Sequence, residues 1–132
     1  MDKKKTILVV EDEKDLLDSY KELNETAGFF ALTASDGYQA LDTLSKNLGN
    51  VDILLLDLMM PGVDGLEVLR AIKTNTGKYG DMPVIILTNM TSESVIRESF
   101  SLGASSYLVK TDLDYDGLVK ELNKYVGEPG QL

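Results

Sequence analysis

The stretch Ile53-Leu54-Leu55-Leu56-Asp57-Leu58-Met59-Met60-Pro61-Gly62 runs four consecutive aliphatic side chains straight into a carboxylate. Four apolar residues without polar alternation read as a strand buried on both faces, the pattern of a parallel sheet covered by helices on each side. An aspartate placed directly after such a run is costly to bury unless charge or hydrogen bonds compensate it. Both the fold and the candidate site start from that junction.

Outward from it, short apolar runs alternate with segments of helical period. Ile7-Leu8-Val9-Val10, Phe29 to Thr33, Val84-Ile85-Ile86-Leu87 and Tyr107-Leu108-Val109 read as four further strands. Between and after them, five amphipathic helices are marked by Leu16, Leu17, Tyr20, Leu23 and Ala27, by Ala40, Leu41, Leu44 and Leu48, by Leu66, Leu69 and Ile72, by Val95, Ile96, Ser99, Phe100 and Gly103, and by Leu118, Val119, Leu122, Tyr125 and Val126. Asp36 is placed to cap the second helix. Gly28, Gly49, Gly77, Gly103 and Gly127 each fall where a helix should close. Five βα units with right-handed crossovers predict an α/β, flavodoxin-like doubly wound sheet of five parallel strands, with the order 2-1-3-4-5 common to that class. One domain over residues 1–127 is expected, with a short tail at 128–132.

Composition narrows the chemistry. The 132 residues carry 13 Lys and Arg against 22 Asp and Glu, a net charge of −9. That balance argues against nucleic acid and anionic membranes as partners, since both select clustered basic residues. The run Lys3-Lys4-Lys5 reads as a solubilising terminus. Without cysteine or histidine there is no disulfide, thiolate nucleophile, zinc site or Ser-His-Asp triad. No apolar run is long enough to span a bilayer and no signal-peptide core follows Met1, so a cytoplasmic protein is the expectation. Carboxylates, hydroxyls, lysines and backbone groups are what remain.

In open α/β sheets, ligands sit beyond the carboxyl ends of the strands. The first strand ends at Glu11-Asp12, the third at Asp57, the fourth at Thr88 and the fifth at Lys110, whereas the second ends blandly in Thr33-Ala34-Ser35. Taken singly, a threonine or lysine at a strand end is an ordinary solvated terminus. Together, three carboxylates, a hydroxyl and an ammonium meet at one crevice. Crowded carboxylates raise one another's pKa, and a divalent cation relieves them. Hard oxygen donors without His or Cys select Mg²⁺ or Mn²⁺. Thr88 can donate to a phosphoryl oxygen, Lys110 can neutralise another, and the central Asp57 can act as nucleophile.

Val9-Val10-Glu11-Asp12-Glu13, Asp57-Leu58-Met59-Met60-Pro61-Gly62 with Asp64-Gly65, Thr88, and Gly103-Ala104 leading to Tyr107 and Lys110 together resemble the receiver domain of two-component response regulators, of the stand-alone kind typified by chemotaxis regulators. The resemblance covers about Lys5 to Val126. It implies that Asp57 is the phosphoacceptor and that Asp12, Asp57 and the backbone carbonyl of Met59, with Glu11 through water, hold Mg²⁺. It further implies that Thr88 and Lys110 sense the phosphoryl group and that Tyr107 is an aromatic rotamer switch. A histidine kinase or phosphotransfer protein would be the donor, and an unidentified partner protein would take the output. The chain would be a monomer or a phosphorylation-dependent dimer. It would promote its own aspartyl phosphorylation and dephosphorylation without being an enzyme in the usual sense. Met59 and Met90, two residues beyond Asp57 and Thr88, are expected to tune phosphate loss by denying water a polar foothold.

Three positions depart from the usual family pattern. Thr111 follows Lys110 where proline is common, Asn89 follows Thr88 where a very small residue is usual, and Glu11 stands for the commoner aspartate. Other classes fit less well. An FMN carrier needs a hydroxyl- and glycine-rich loop after the first strand, where Glu11-Asp12-Glu13 stands. A haloacid-dehalogenase-type phosphatase needs a second acid where Met59 stands. A degenerate receiver, acting as a phosphorylation-independent interaction module, would normally have lost Asp57 or the acidic pair.

Overall fold

The structure, a computed structural model, describes residues 4–126. The strands are β1 (Thr6–Val10), β2 (Phe30–Ala34), β3 (Ile53–Leu56), β4 (Val84–Thr88) and β5 (Ser106–Val109). The helices are α1 (Lys14–Thr26), α2 (Gly37–Lys46), α3 (Gly65–Thr74), the short α4 (Thr76–Tyr79), α5 (Glu93–Ser101) and α6 (Tyr115–Val126), with a 3₁₀ turn over Lys110–Asp112. All strand pairs are parallel, in the expected order β2-β1-β3-β4-β5.

The unbroken apolar runs serve two cores. Leu8, Val10, Leu54, Leu56, Val84 and Ile86 pack with Ala40, Leu44, Val68, Leu69 and Ile72 of α2 and α3 on one face. Their alternates Ile7, Val9, Ile53, Leu55, Ile85 and Leu87 meet Leu17 and Tyr20 of α1 and Leu118 and Leu122 of α6 on the other. Period-2 side-chain alternation thus explains why the central strands show no polar face. β5, at the sheet edge, is half-buried along its length.

One expected helix end moves. The third helix stops at Thr74, and Gly77 lies inside the additional turn α4, so the described residues form six α-helices rather than five. The single backbone carbonyl of Asn75 accepts from the N–H groups of both Lys78 and Tyr79, and Tyr79 packs against the core, which makes the extra turn worthwhile. Closure falls to Gly80, at φ 99°, in the left-handed region that glycine enters without a Cβ clash. Gly28, Gly49 and Gly103 have positive φ as expected, and Gly127 and the tail at 128–132 lie outside the described residues. Among the described residues no helix is long and apolar enough to cross a membrane.

The Asp36 cap forms. Its carboxylate accepts from the Gln39 backbone N–H at 2.8 Å and from the Gln39 side chain at 3.3 Å. Asp36→Ala should lower stability by about 1 kcal/mol, and Asp36→Asn should retain most of it. Urea titration of the three proteins checks this, with an unchanged midpoint for the alanine variant counting against the cap.

Candidate functional site

Register places the site. Val10 pairs with Leu56, and Leu56 with Ile86, so the residues after β1 and β3 emerge side by side at the carboxyl edge. Two backbone bonds continue the ladder into the site, from Asp57 N–H to the Val10 carbonyl and from Glu11 N–H to the Ala34 carbonyl, both 3.1 Å. The carboxylates therefore inherit their positions from the sheet rather than from a loop.

Asp57 and Glu11 are buried, at 5% and 1% exposure, while Asp12 is exposed at the rim. The three offer carboxylate oxygens that all lie within 4.8 Å of one another. The Lys110 ammonium sits among them, donating to Glu11 Oε1 and, at 3.0 Å, to Asp57 Oδ2. The Met59 N–H donates to Asp57 Oδ1 and the Glu13 N–H to Glu11 Oε2, each at 3.1 Å. Every oxygen of the two buried carboxylates thus has a donor.

The electrostatics follow from this packing. Burial pushes the Glu11 carboxyl up, opposed by the Lys110 and Glu13 hydrogen bonds and aided by the Asp57 charge. For Lys110, burial works downward, but the hydrogen bonds to Glu11 and Asp57 outweigh it and hold the ammonium above the usual lysine range. Burial, with the Asp57 charge behind it, raises the Tyr107 phenol.

An open cleft of about 320 Å³ is lined by Glu11, Asp12, Glu13, Leu16, Asp57, Met59, Asn89 and Lys110. Two residues expected at this crevice do not line the open cleft. Thr88 is wholly buried, and its hydroxyl is approached by the Met90 N–H at 3.5 Å, a long contact. Met90 lines a neighbouring apolar groove with Leu58, Met59, Met60, Pro61, Asp64 and Leu66, and Asn89 occupies the cleft in its place. Thr88 is the last residue of β4, a strand buried on both faces; beyond it Asn89 is exposed and Met90 is partly buried against the core. Tyr107 donates its hydroxyl to the Met90 carbonyl at 2.8 Å, so a single residue's backbone joins Thr88 to Tyr107. The bond between Lys110 and Thr111 is trans, as are all those described.

Sequence reasoning gave no role to Gly65, which lets α3 start directly against the site. Its N–H donates to the Leu58 carbonyl at 3.1 Å, and a Cβ there would run into the Asp57 carbonyl and come within 2.6 Å of Leu58 Cα. The Asp64-Gly65 pair just beyond the quoted junction was the available signal: Asp64 caps α3 through the Glu67 N–H at 2.9 Å, and the glycine permits the close approach.

The donor set is all oxygen and partly open to solvent, which suits a hard divalent cation of the Mg²⁺ or Mn²⁺ type. The sequence pattern of the response regulator receiver domain matches residues 7–123. The transcriptional regulatory protein CpxR of Escherichia coli K12 is 41% identical over 104 residues, 79% of this chain and 42% of its own length. The chain therefore spans about two fifths of that relative. The chemotaxis protein CheY4 of Vibrio cholerae superposes with a TM-score of 0.84 at 28% identity, over 93% of this chain and 99% of that one. The CheX-CheY-BeF3-Mg²⁺ complex from Borrelia burgdorferi gives a TM-score of 0.82 at 25% identity, over 91% and 87%.

Gly65→Ala should lower stability by about 1–3 kcal/mol, the usual cost of overpacking, because backbone lies in the way of the new methyl group. Gly77→Ala meets open space and serves as the control. Equal chemical melts for the two variants would refute the close approach.

Proposed function

The chain belongs to the response regulator receiver domain family of two-component systems, and from that premise we propose that it is a switch driven by Mg²⁺-dependent phosphorylation of Asp57. One observation carries the reading: a buried central carboxylate is held by an ammonium and a backbone N–H at the floor of an open acidic cleft. Likeness to a CheY bound to Mg²⁺ and BeF3 supports it.

Glu11, Asp12, Asp57 and the Met59 carbonyl would hold the cation. When bound, it supplies positive charge that offsets the carboxylates and the incoming phosphoryl oxygens. A phosphorylated histidine of a kinase or phosphotransfer protein supplies the phosphoryl group. Asp57 Oδ attacks phosphorus, the P–N bond to the donor histidine breaks, and its electron pair stays with the imidazole. Lys110, already hydrogen-bonded to Asp57, follows the new negative charge onto a phosphoryl oxygen. Thr88 must turn its hydroxyl from the buried side to reach another. That movement strips the Met90 N–H of its acceptor and, through the Met90 carbonyl, disturbs Tyr107. The readout surface is then α5, β5 and α6, where a partner protein or a second copy binds. In this reading the chain acts on itself and turns over no separate substrate.

Asp57→Asn should abolish the mass gain of one phosphoryl group on incubation with acetyl phosphate and Mg²⁺, which the wild type shows and which EDTA suppresses. Full labelling of the variant at another residue would remove Asp57 from the role.

Met59, 57% exposed over the cleft, bars polar guidance of water toward the acyl phosphate. Met59→Asn should speed phosphate loss about tenfold, equivalent to about 1.4 kcal/mol of barrier. Met90→Glu, on the neighbouring groove, should change it less. Decay of the phosphorylated mass after donor removal measures both, and a larger effect at Met90 would reverse the assignment.

A further inference from the structure

This chain carries no cysteine and no tryptophan, so methionine is its most readily oxidised side chain. Its methionines are unequally placed. Met60 and Met82 are buried in the core, at 7% and 5% exposure, and Met90 is half-buried against it. Met59 alone is exposed among the described residues, at 57%. Among those residues it is also the one methionine that lines the acidic cleft, and it lines the neighbouring apolar groove as well. Its own backbone fixes its place, the N–H donating to Asp57 Oδ1 at 3.1 Å. The thioether most accessible to an oxidant therefore stands beside the carboxylate that would carry the phosphoryl group.

Resting on the receiver reading above, we propose that Met59 is an oxidation site whose conversion to the sulfoxide shortens the life of the phosphorylated state, by placing a hydrogen-bond acceptor over the acyl phosphate. The oxidant is a hydroperoxide. The sulfur lone pair attacks one peroxide oxygen and the O–O bond breaks; with hydrogen peroxide, the second oxygen leaves as water carrying both protons. Sulfur is oxidised by two electrons and the peroxide is reduced by the same two. A thioether is a weak acceptor that gives water no foothold, whereas a sulfoxide is polar. The sulfoxide oxygen accepts an O–H of a water, and that water keeps a lone pair free to face phosphorus. Orienting the attacking water is what a side chain at this place can supply to hydrolysis. At an exposed position the added oxygen enters solvent, whereas the same change at Met60 or Met82 would put a polar group into the core. Methionine sulfoxide reductases reverse the step, so it works as a switch.

To test this, wild type, Met59→Leu and Met90→Leu are treated with limiting hydrogen peroxide, cleared of oxidant with catalase, and phosphorylated with acetyl phosphate and Mg²⁺. Peptide mass mapping should find Met59 oxidised before Met60, Met82 and Met90. After donor removal, oxidised wild type should lose its phosphoryl group about fivefold faster than untreated wild type, less than Met59→Asn because a sulfoxide accepts hydrogen bonds but donates none. Met59→Leu, compared with its own untreated sample, should show no change. Met90→Leu should accelerate as wild type does, and a methionine sulfoxide reductase should restore the slow decay. Thermal melts of oxidised and untreated wild type should coincide, which separates a change at the cleft from unfolding. Earlier oxidation of any of the other three methionines, unchanged or slower decay, equal acceleration in Met59→Leu, or a lowered melt would each overturn the proposal. So would a Met59 sulfoxide that no longer accepts the phosphoryl group. Untreated wild type that gains no phosphoryl mass would overturn the receiver reading itself, whereas normal phosphorylation with a decay indifferent to oxidation overturns the oxidation site alone.

Discussion

Two buried carboxylates side by side are the constraint around which this molecule is organised. Isolated, each would carry a large desolvation penalty, and together they would repel. Lys110 answers both costs by donating to Glu11 and Asp57 at once, and backbone N–H groups of Glu13 and Met59 take the remaining oxygens. The lysine reaches them because β5 ends at Val109, two strands across the sheet from β3. The strand order is therefore part of the electrostatic solution.

Much of this was legible in the chain. Unbroken aliphatic runs such as Ile53 to Leu56 and Val84 to Leu87 demand helices on both faces, and those helices are present with the expected order and cap. The convergence of Glu11, Asp12, Asp57 and Lys110 could be read from strand ends alone, because parallel strands put their carboxyl ends on one edge. What resisted reading depended on side-chain direction and on tertiary packing. Thr88 is wholly buried at the end of β4 and Asn89, just past the strand, lines the cleft, a difference in side-chain exposure that a strand boundary alone does not settle. Gly77 looked like a helix end, but Tyr79 finds the core and extends the chain through one more turn to Gly80.

The departures from the usual family pattern also gain physical content. Asn89 shares the cleft wall with Lys110 and Met59, so it faces whatever enters there. Thr111 sits in a 3₁₀ turn that returns the chain toward α6 without a proline. Glu11 uses both of its oxygens within the protein.

The absence of a side chain at Gly65 has a mechanical consequence. α3 rests backbone to backbone on the Asp57-Leu58 peptide, with Asp64 pinning its first turn. α5 is docked far more shallowly, and its only wholly buried residue is Ser99, whose hydroxyl is spent on the Val95 carbonyl. The two neighbours of the site therefore differ in stiffness: one is a rigid abutment, the other a compliant wall. Any displacement that starts at Asp57 meets resistance on the α3 side and yields on the α5 side. A missing methyl group on one helix thus gives the whole domain a preferred direction of deformation.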